Sequence, residues 1–151
     1  VRVPTDNSVN YNYKYGWHID LPTSRESVVT NAKVRGSLVF FNTLIPNSQP
    51  CSFGGAGWLM SVKQVNGGPP DTPAFDLNGD YVVDDSDKVT DSSGNTAIAG
   101  GHSFSQGIPA ESNFLGDHQY TPGSSGQIQH DVINVGESSN TGRLSWRQLE
   151  F

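Results

Sequence analysis

The chain has 151 residues and a formal net charge of −6, with nine Lys and Arg scattered along it. That balance excludes a nucleic-acid binder, which needs a basic stripe, and suits cations as partners. Hydrophobic residues make up 34% of the chain, below the globular average, while 17 glycines and nine prolines favour short strands and turns over helices. The length fits one domain. No run approaches the roughly 18 to 20 apolar residues of a membrane span, and the opening Val1-Arg2-Val3-Pro4 reads as the start of a mature or excised segment rather than a signal peptide.

Residues 1–14 are polar, rich in Asn and Tyr and without a clean period, so they are expected to be an irregular lead-in to a module over 15–151. Trp17-His18-Ile19-Asp20-Leu21 alternates apolar and polar, which predicts a strand ended by Pro22. The β-branched stretch Ser27-Val28-Val29-Thr30 predicts a short second one. Clearer strands follow at 37–45, an apolar run ended by Pro46, and at 58–62, closed by the turn residues Asn66-Gly67-Gly68. Residues 69–126 read mostly as loop, and loops of that length are uncommon unless functional. Strand patterns return at 127–133 and 144–149. With no amphipathic helix in the pattern, the expected class is all-β, a sandwich or blades of a propeller.

One acidic segment carries a chemical signal. Asp76-Leu77-Asn78-Gly79-Asp80-Tyr81-Val82-Val83-Asp84-Asp85-Ser86-Asp87 puts oxygen side chains at loop positions one, three, five, nine and twelve, the spacing of EF-hand-type loops. A hard divalent cation takes six to eight oxygens, and a chain curling round it presents alternate side chains inward. Asp76, Asn78 and Asp80 are the first three expected ligands, the carbonyl of Val82 the fourth, Asp84 the fifth directly or through water, and Asp87 the closing one. Position six holds Tyr81 where the pattern has Gly, and position twelve a short Asp where it has Glu, both of which lower the expected affinity. Pro69, Pro70 and Pro73 precede the loop, so no EF-hand helix flanks it. A bare acidic turn is the competing reading, opposed by the mutual repulsion of its carboxylates. Mg²⁺, which demands octahedral geometry, is the weaker rival to Ca²⁺.

Other constellations stay silent. His18, His102, His118 and His130 are far apart in the chain and show no zinc-type spacing. Gly123-Ser124-Ser125-Gly126 lacks the spacing of a nucleophile elbow. Cys51 is the sole cysteine, either a half-buried thiol or a partner for a cysteine outside this chain. Nothing here is an enzyme signature, and a non-enzymatic protein is expected.

Several segments together resemble the C-terminal region of the PilY family, called PilC in some bacteria, of type IV pilus assembly proteins and tip adhesins. They are Tyr15-Gly16-Trp17-His18-Ile19-Asp20-Leu21-Pro22, the run from Arg35 through Pro46, Pro50-Cys51-Ser52, Gly57-Trp58-Leu59-Met60, the Gly67-Gly68 turn and Phe75-Asp76-Leu77-Asn78-Gly79-Asp80. Ser124-Ser125-Gly126 and Gly142-Arg143-Leu144-Ser145-Trp146-Arg147-Gln148-Leu149 continue it in the same order. The resemblance implies part of a β-propeller with quinoprotein-like blades and an inserted calcium-binding loop. It further implies pilus assembly, motility and surface attachment, pilus subunits, minor pilins or a host-surface receptor as partners, and a location at the bacterial cell surface, pilus or outer membrane. The alternatives are a fragment of a quinoprotein-like dehydrogenase propeller, which needs a cofactor pocket, and a dockerin-like or carbohydrate-binding module, which needs a partner domain or glycan.

Overall fold

The computed structural model describes residues 1–47 and 54–136. Within them the chain is all-β, with nine strands, one short 3-10 turn and no α-helix. The expectations placed on Cys51 and on a strand at 144–149 lie outside the described residues.

The first sheet is built around the two apolar runs read from the sequence. Strands β1 (Lys33–Arg35), β2 (Leu38–Pro46), β3 (Gly55–Lys63) and β6 (Gly101–Phe104) pair antiparallel in that spatial order. β2 and β3 form its backbone, with a nine-residue register from Leu38↔Lys63 to Pro46↔Gly55. The sequence reading starts β2 at Ser37 and misses β1. Gly36, at φ 57°, supplies the positive φ that a two-residue hairpin connection requires, and Lys33 to Arg35 fold back onto Leu38 to Phe40.

Between β3 and β6 the chain makes its excursion. It contains the acidic loop, a 3-10 turn at Asp85–Asp87 and a small hairpin of β4 (Val89–Thr90) and β5 (Thr96–Ala97). A second sheet, β7 (Asn113–Leu115), β8 (His118–Pro122) and β9 (Ile128–Val132), follows as a simple antiparallel meander. The stretch 69–126 is mostly loop, as expected, but it also carries the short strands β4 to β8, while β9 falls in the expected strand at 127–133. His118 to Pro122 carries two polar residues, Gln119 and Thr121, on its buried face, so hydrophobic alternation does not mark it.

The two sheets are joined by an apolar cluster and a polar one. Leu38 and Phe40 of β2 pack with Ala74, Phe75 and Ile133, and Leu77, Phe114 and Val135 close over them. The Phe40 ring meets Phe75 edge-on at 6.2 Å and Phe114 at 5.3 Å, geometries that the aromatic quadrupole favours. Beside this cluster, the buried Asn42 amide donates to Ser112 Oγ at 2.9 Å; that hydroxyl lies 2.7 Å from Thr121 Oγ1 and accepts from Gln119 Nε2 at 2.9 Å. These bonds offset the burial of the Asn42 amide, the two hydroxyls and Gln119 Nε2, while Gln119 Oε1 is buried without a partner among the described residues.

Two sequence expectations are corrected at the N-terminal side. Trp17 to Leu21 alternates in burial as predicted but pairs with no strand; the Trp17 indole instead donates to the Gln64 carbonyl at 2.9 Å and its ring lies over Gly67. Of residues 27–30 only Ser27 makes a bridge, to Leu44, and Val28 and Val29 face solvent. Local propensity without a neighbouring edge makes no ladder. The irregular lead-in is fastened at Arg2, which bridges Gly101, stacks over Trp58 at 4.0 Å and pairs with Glu26.

Candidate metal centre

Residues 76–87 fold as one tight loop whose polar side chains turn the backbone. Its front end is anchored in the core: Phe75 is 1% exposed and bridges Ile133, the Asp76 N–H donates to the Val132 carbonyl at 3.1 Å, and the Asn134 N–H to the Ala74 carbonyl at 3.0 Å. The loop therefore springs from the seam between the two sheets.

From there each Asp or Asn bends the chain by accepting backbone hydrogens ahead of it. Asp76 Oδ1 accepts from the Gly79 N–H at 2.7 Å and Oδ2 from Tyr81 at 2.8 Å. Asn78 Oδ1 accepts from Asp80 at 2.9 Å, and Asp80 Oδ1 from Val82 at 2.8 Å. Tyr81 has φ 67°, so position six takes the left-handed conformation that the loop pattern assigns to Gly, even with a side chain that disfavours it. Asp84 caps the 3-10 turn through the Ser86 N–H at 2.7 Å; that backbone bond, with the Ser86 hydroxyl, holds the Asp84 carboxyl below its ordinary range.

Asp87 closes the loop on itself. Its side chain is buried at 2% exposure and accepts three backbone hydrogens: Leu77 at 2.7 Å and Asn78 at 3.2 Å on Oδ1, and Asp84 at 3.0 Å on Oδ2. One carboxylate thus clamps the first turn to the last. The neighbouring Asp85 pairs with Lys88 at 2.8 Å.

The donor set suits a hard cation. Positions one, three and five present carboxylate or amide oxygens, and a carboxylate has roughly four lone-pair sites, of which Asp76 commits two to these backbone bonds. Asp76, Asn78 and Asp80 would hold the ion from the first half of the loop and Asp84 from the second. Asp87 has three of its sites filled by N–H groups, so its first task is structural. Val82, expected to contribute its carbonyl, has an exposed side chain, and Val83 is half-buried. Among the described residues no group of three or more His, Cys, Asp or Glu is gathered as a metal cluster; the expected set includes an amide and a carbonyl beside its carboxylates.

Two arrangements escape the sequence reading because they depend on strand register. Below the loop anchor, His102 stacks edge-on against Phe75 at 4.6 Å, with Nε2 3.5 Å from Asp131 Oδ1. Burial pushes the His102 imidazole down and the Asp131 carboxyl up, the Asp76 charge adding to the latter while His102 opposes it. On the outer face of the second sheet, His118 Nδ1 and His130 Nε2 lie 2.8 Å apart. Distance along the chain hides this pair, which the β8–β9 register brings together. A separate open groove of about 750 Å³ runs between the N-terminal strap and residues 16–22, sharing no residue with the acidic loop.

Fold and site together define an all-β module that presents an acidic loop, with oxygen side chains at alternating positions, from the seam of two sheets. Its relatives give that class a setting. The chain is 26% identical over 161 aligned residues, 99% of its own length, to the type IV pilus biogenesis factor PilY1 of Pseudomonas aeruginosa strains PAO1 and PAK, and 25% identical over 90% of its length to PilY1 of strain UCBPP-PA14. The family resemblance carried by the sequence motifs is thus matched by homology to PilY1 proteins. The chain spans only 13% of the PAO1 and PAK relatives and 11% of the third. No family profile and no solved structure matches it.

Proposed function

We propose that this chain is a non-enzymatic, calcium-binding structural and adhesive module of a type IV pilus biogenesis protein, acting at the bacterial cell surface or pilus. Pilus subunits or minor pilins are its partners within the machinery, and a host-surface receptor its partner outside. The observation that supports the calcium reading is the loop itself: Asp76, Asn78 and Asp80 turn the backbone at alternate positions by accepting N–H groups ahead of them, and Tyr81 takes the left-handed backbone that the EF-hand pattern gives to Gly. The pilus setting rests on the PilY1 relatives.

The four-stranded antiparallel sheet β1-β2-β3-β6 has the size of one propeller blade. That supports a part-propeller with the calcium loop inserted between its third and fourth strands. Calcium would neutralise the repulsion among Asp76, Asp80 and Asp84 and stiffen the excursion that starts at Phe75 and ends at β6. Because Phe75 belongs to the cluster joining the two sheets, ordering the loop steadies their relative position and, with it, the surface offered to a partner.

Thermal melting in calcium and in chelator tests the reading. Calcium at a hundred times its dissociation constant stabilises by about 2.7 kcal/mol, which for a domain of this size raises the melting temperature by about 5 to 10 °C. Asp76→Ala with Asp80→Ala removes that increment; an increment unchanged in the double variant sinks the proposal.

A further inference from the structure

We infer that His118 and His130 form a second metal site, a two-imidazole chelate for a divalent transition-metal ion of the copper or nickel class. The pair shares no residue with the acidic loop, so either site can be absent without the other.

Strand register creates the pair. In β8 and β9 the residues opposite one another are Tyr120↔His130 and His118↔Val132, so His118 and His130 are diagonal neighbours on one face, a relation that brings side chains of this length into contact. The opposite face of β8 carries Gln119 and Thr121 into the core, and Gln129 and Asp131 of β9 are half-buried on that face, so the imidazoles face outward. Tyr120 stacks on the His130 ring at 4.9 Å with 21° between planes, and the two imidazoles are 4.9 Å apart at 36°. The rings are therefore held side by side with Nδ1 of one facing Nε2 of the other.

The distance suits a chelate and the affinity order selects the ion. The 2.8 Å separation is that of the N–H···N hydrogen bond joining the rings, and metal–imidazole bonds of about 2.0 Å put two adjacent nitrogens about 2.8 to 3.3 Å apart, so small ring rotations suffice to admit an ion without moving the strands. Imidazole nitrogens bind Cu²⁺ most tightly among the first-row divalent ions, which favours it over Zn²⁺. In the metal-free pair one imidazole N–H donates to the other nitrogen. Binding needs both lone pairs, so the donor ring shifts its proton to its other nitrogen and the rings turn about χ2, a broad torsion in His, until both lone pairs leave the N···N line and converge on the ion. No net proton is released from two neutral imidazoles. The calcium loop does not compete, because its oxygens suit hard ions and imidazole suits softer ones.

The test is a Cu²⁺, Ni²⁺ and Zn²⁺ titration of the full chain by calorimetry, in calcium-replete buffer, with electron paramagnetic resonance of the Cu²⁺ form. The inference expects one equivalent of Cu²⁺ bound with two imidazole nitrogens in the resonance spectrum. His118→Gln or His130→Gln should each weaken it by about a hundredfold, the loss of a chelating arm, while Asp76→Ala with Asp80→Ala leaves it unchanged. On the unaltered chain, substoichiometric Cu²⁺ should broaden the His118 and His130 ring signals in NMR before those of His18 and His102, a readout that needs no variant. Equal Cu²⁺ affinity in all forms, a single coordinating nitrogen, broadening elsewhere first, or tighter binding of Zn²⁺ than of Cu²⁺ overturns the assignment.

Discussion

Replacing Asp87 separates loop architecture from metal binding. Asp87→Ala removes the acceptor for three backbone hydrogens, from Leu77, Asn78 and Asp84. Hydrogen bonds to a charged group contribute about 1.5 to 3 kcal/mol each, and a donor left buried costs about 1 to 3 kcal/mol. Asn78 and Asp84 are exposed residues that water can reach, whereas Leu77 packs against the core, so the Leu77 bond dominates and the total comes to about 3 to 4 kcal/mol. That is a large part of the 5 to 15 kcal/mol typical of a domain. Guanidinium unfolding in chelator, where no metal contributes, should show this loss, and amide exchange at Leu77 and Asn78 should accelerate with it. Asp87→Asn keeps one acceptor oxygen for Leu77 and Asn78 but turns an amide toward the Asp84 N–H, for a smaller loss of about 1 to 2 kcal/mol. Stability within about 0.5 kcal/mol of the parent, the scatter of ordinary surface substitutions, with exchange unaltered in the Ala variant, refutes the clamp.

Other positions report on other parts of the account. Tyr81→Gly relieves the cost of a left-handed backbone, about 1 to 2 kcal/mol less the entropy that Gly adds, and should strengthen calcium binding measured by calorimetry; weaker binding contradicts the strain argument. Gly67→Ala places a methyl 2.5 Å from the Trp17 ring at φ 70°, so the denaturation midpoint should drop by the equivalent of about 2 kcal/mol, the scale of a left-handed backbone with a side chain plus overpacking, with a change in tryptophan fluorescence. Burial alone would raise the Glu26 carboxyl, but bonds from Arg2 and Thr43 outweigh it and the net shift is downward. Its folded pKa lies below the unfolded one, so its contribution is present above the unfolded value and fades as pH falls through the folded value. Arg2→Ala should flatten that acid limb in a series of melts taken from pH 5 downward.

How much of this was legible in the sequence follows from which interactions are local. The apolar runs that became β2 and β3 were visible because length, Pro46 and the Asn66-Gly67-Gly68 turn bound them. The acidic loop was visible because its turns are made by side chains two to five residues away. Strand β1 was missed because its three residues carry no apolar run, and β8 because its inward residues are Gln119 and Thr121. The strand expected at 27–30 reduced to one bridge at Ser27, since β-branched residues gain little without a partner edge. The role of Asp87 as a clamp needed its burial, and the His118–His130 pair needed the β8–β9 register; neither quantity is encoded in spacing.

The central claim is that residues 76–87 hold calcium and steady the seam beneath them. Calcium titration of the chain followed residue by residue by amide exchange tests it most directly. The account predicts saturable slowing at Gly79, Tyr81 and Val82, spreading to Phe75 and Ile133, and absent in the Asp76→Ala, Asp80→Ala variant. Exchange that calcium leaves untouched across the loop, or slowing that persists in the double variant, contradicts it.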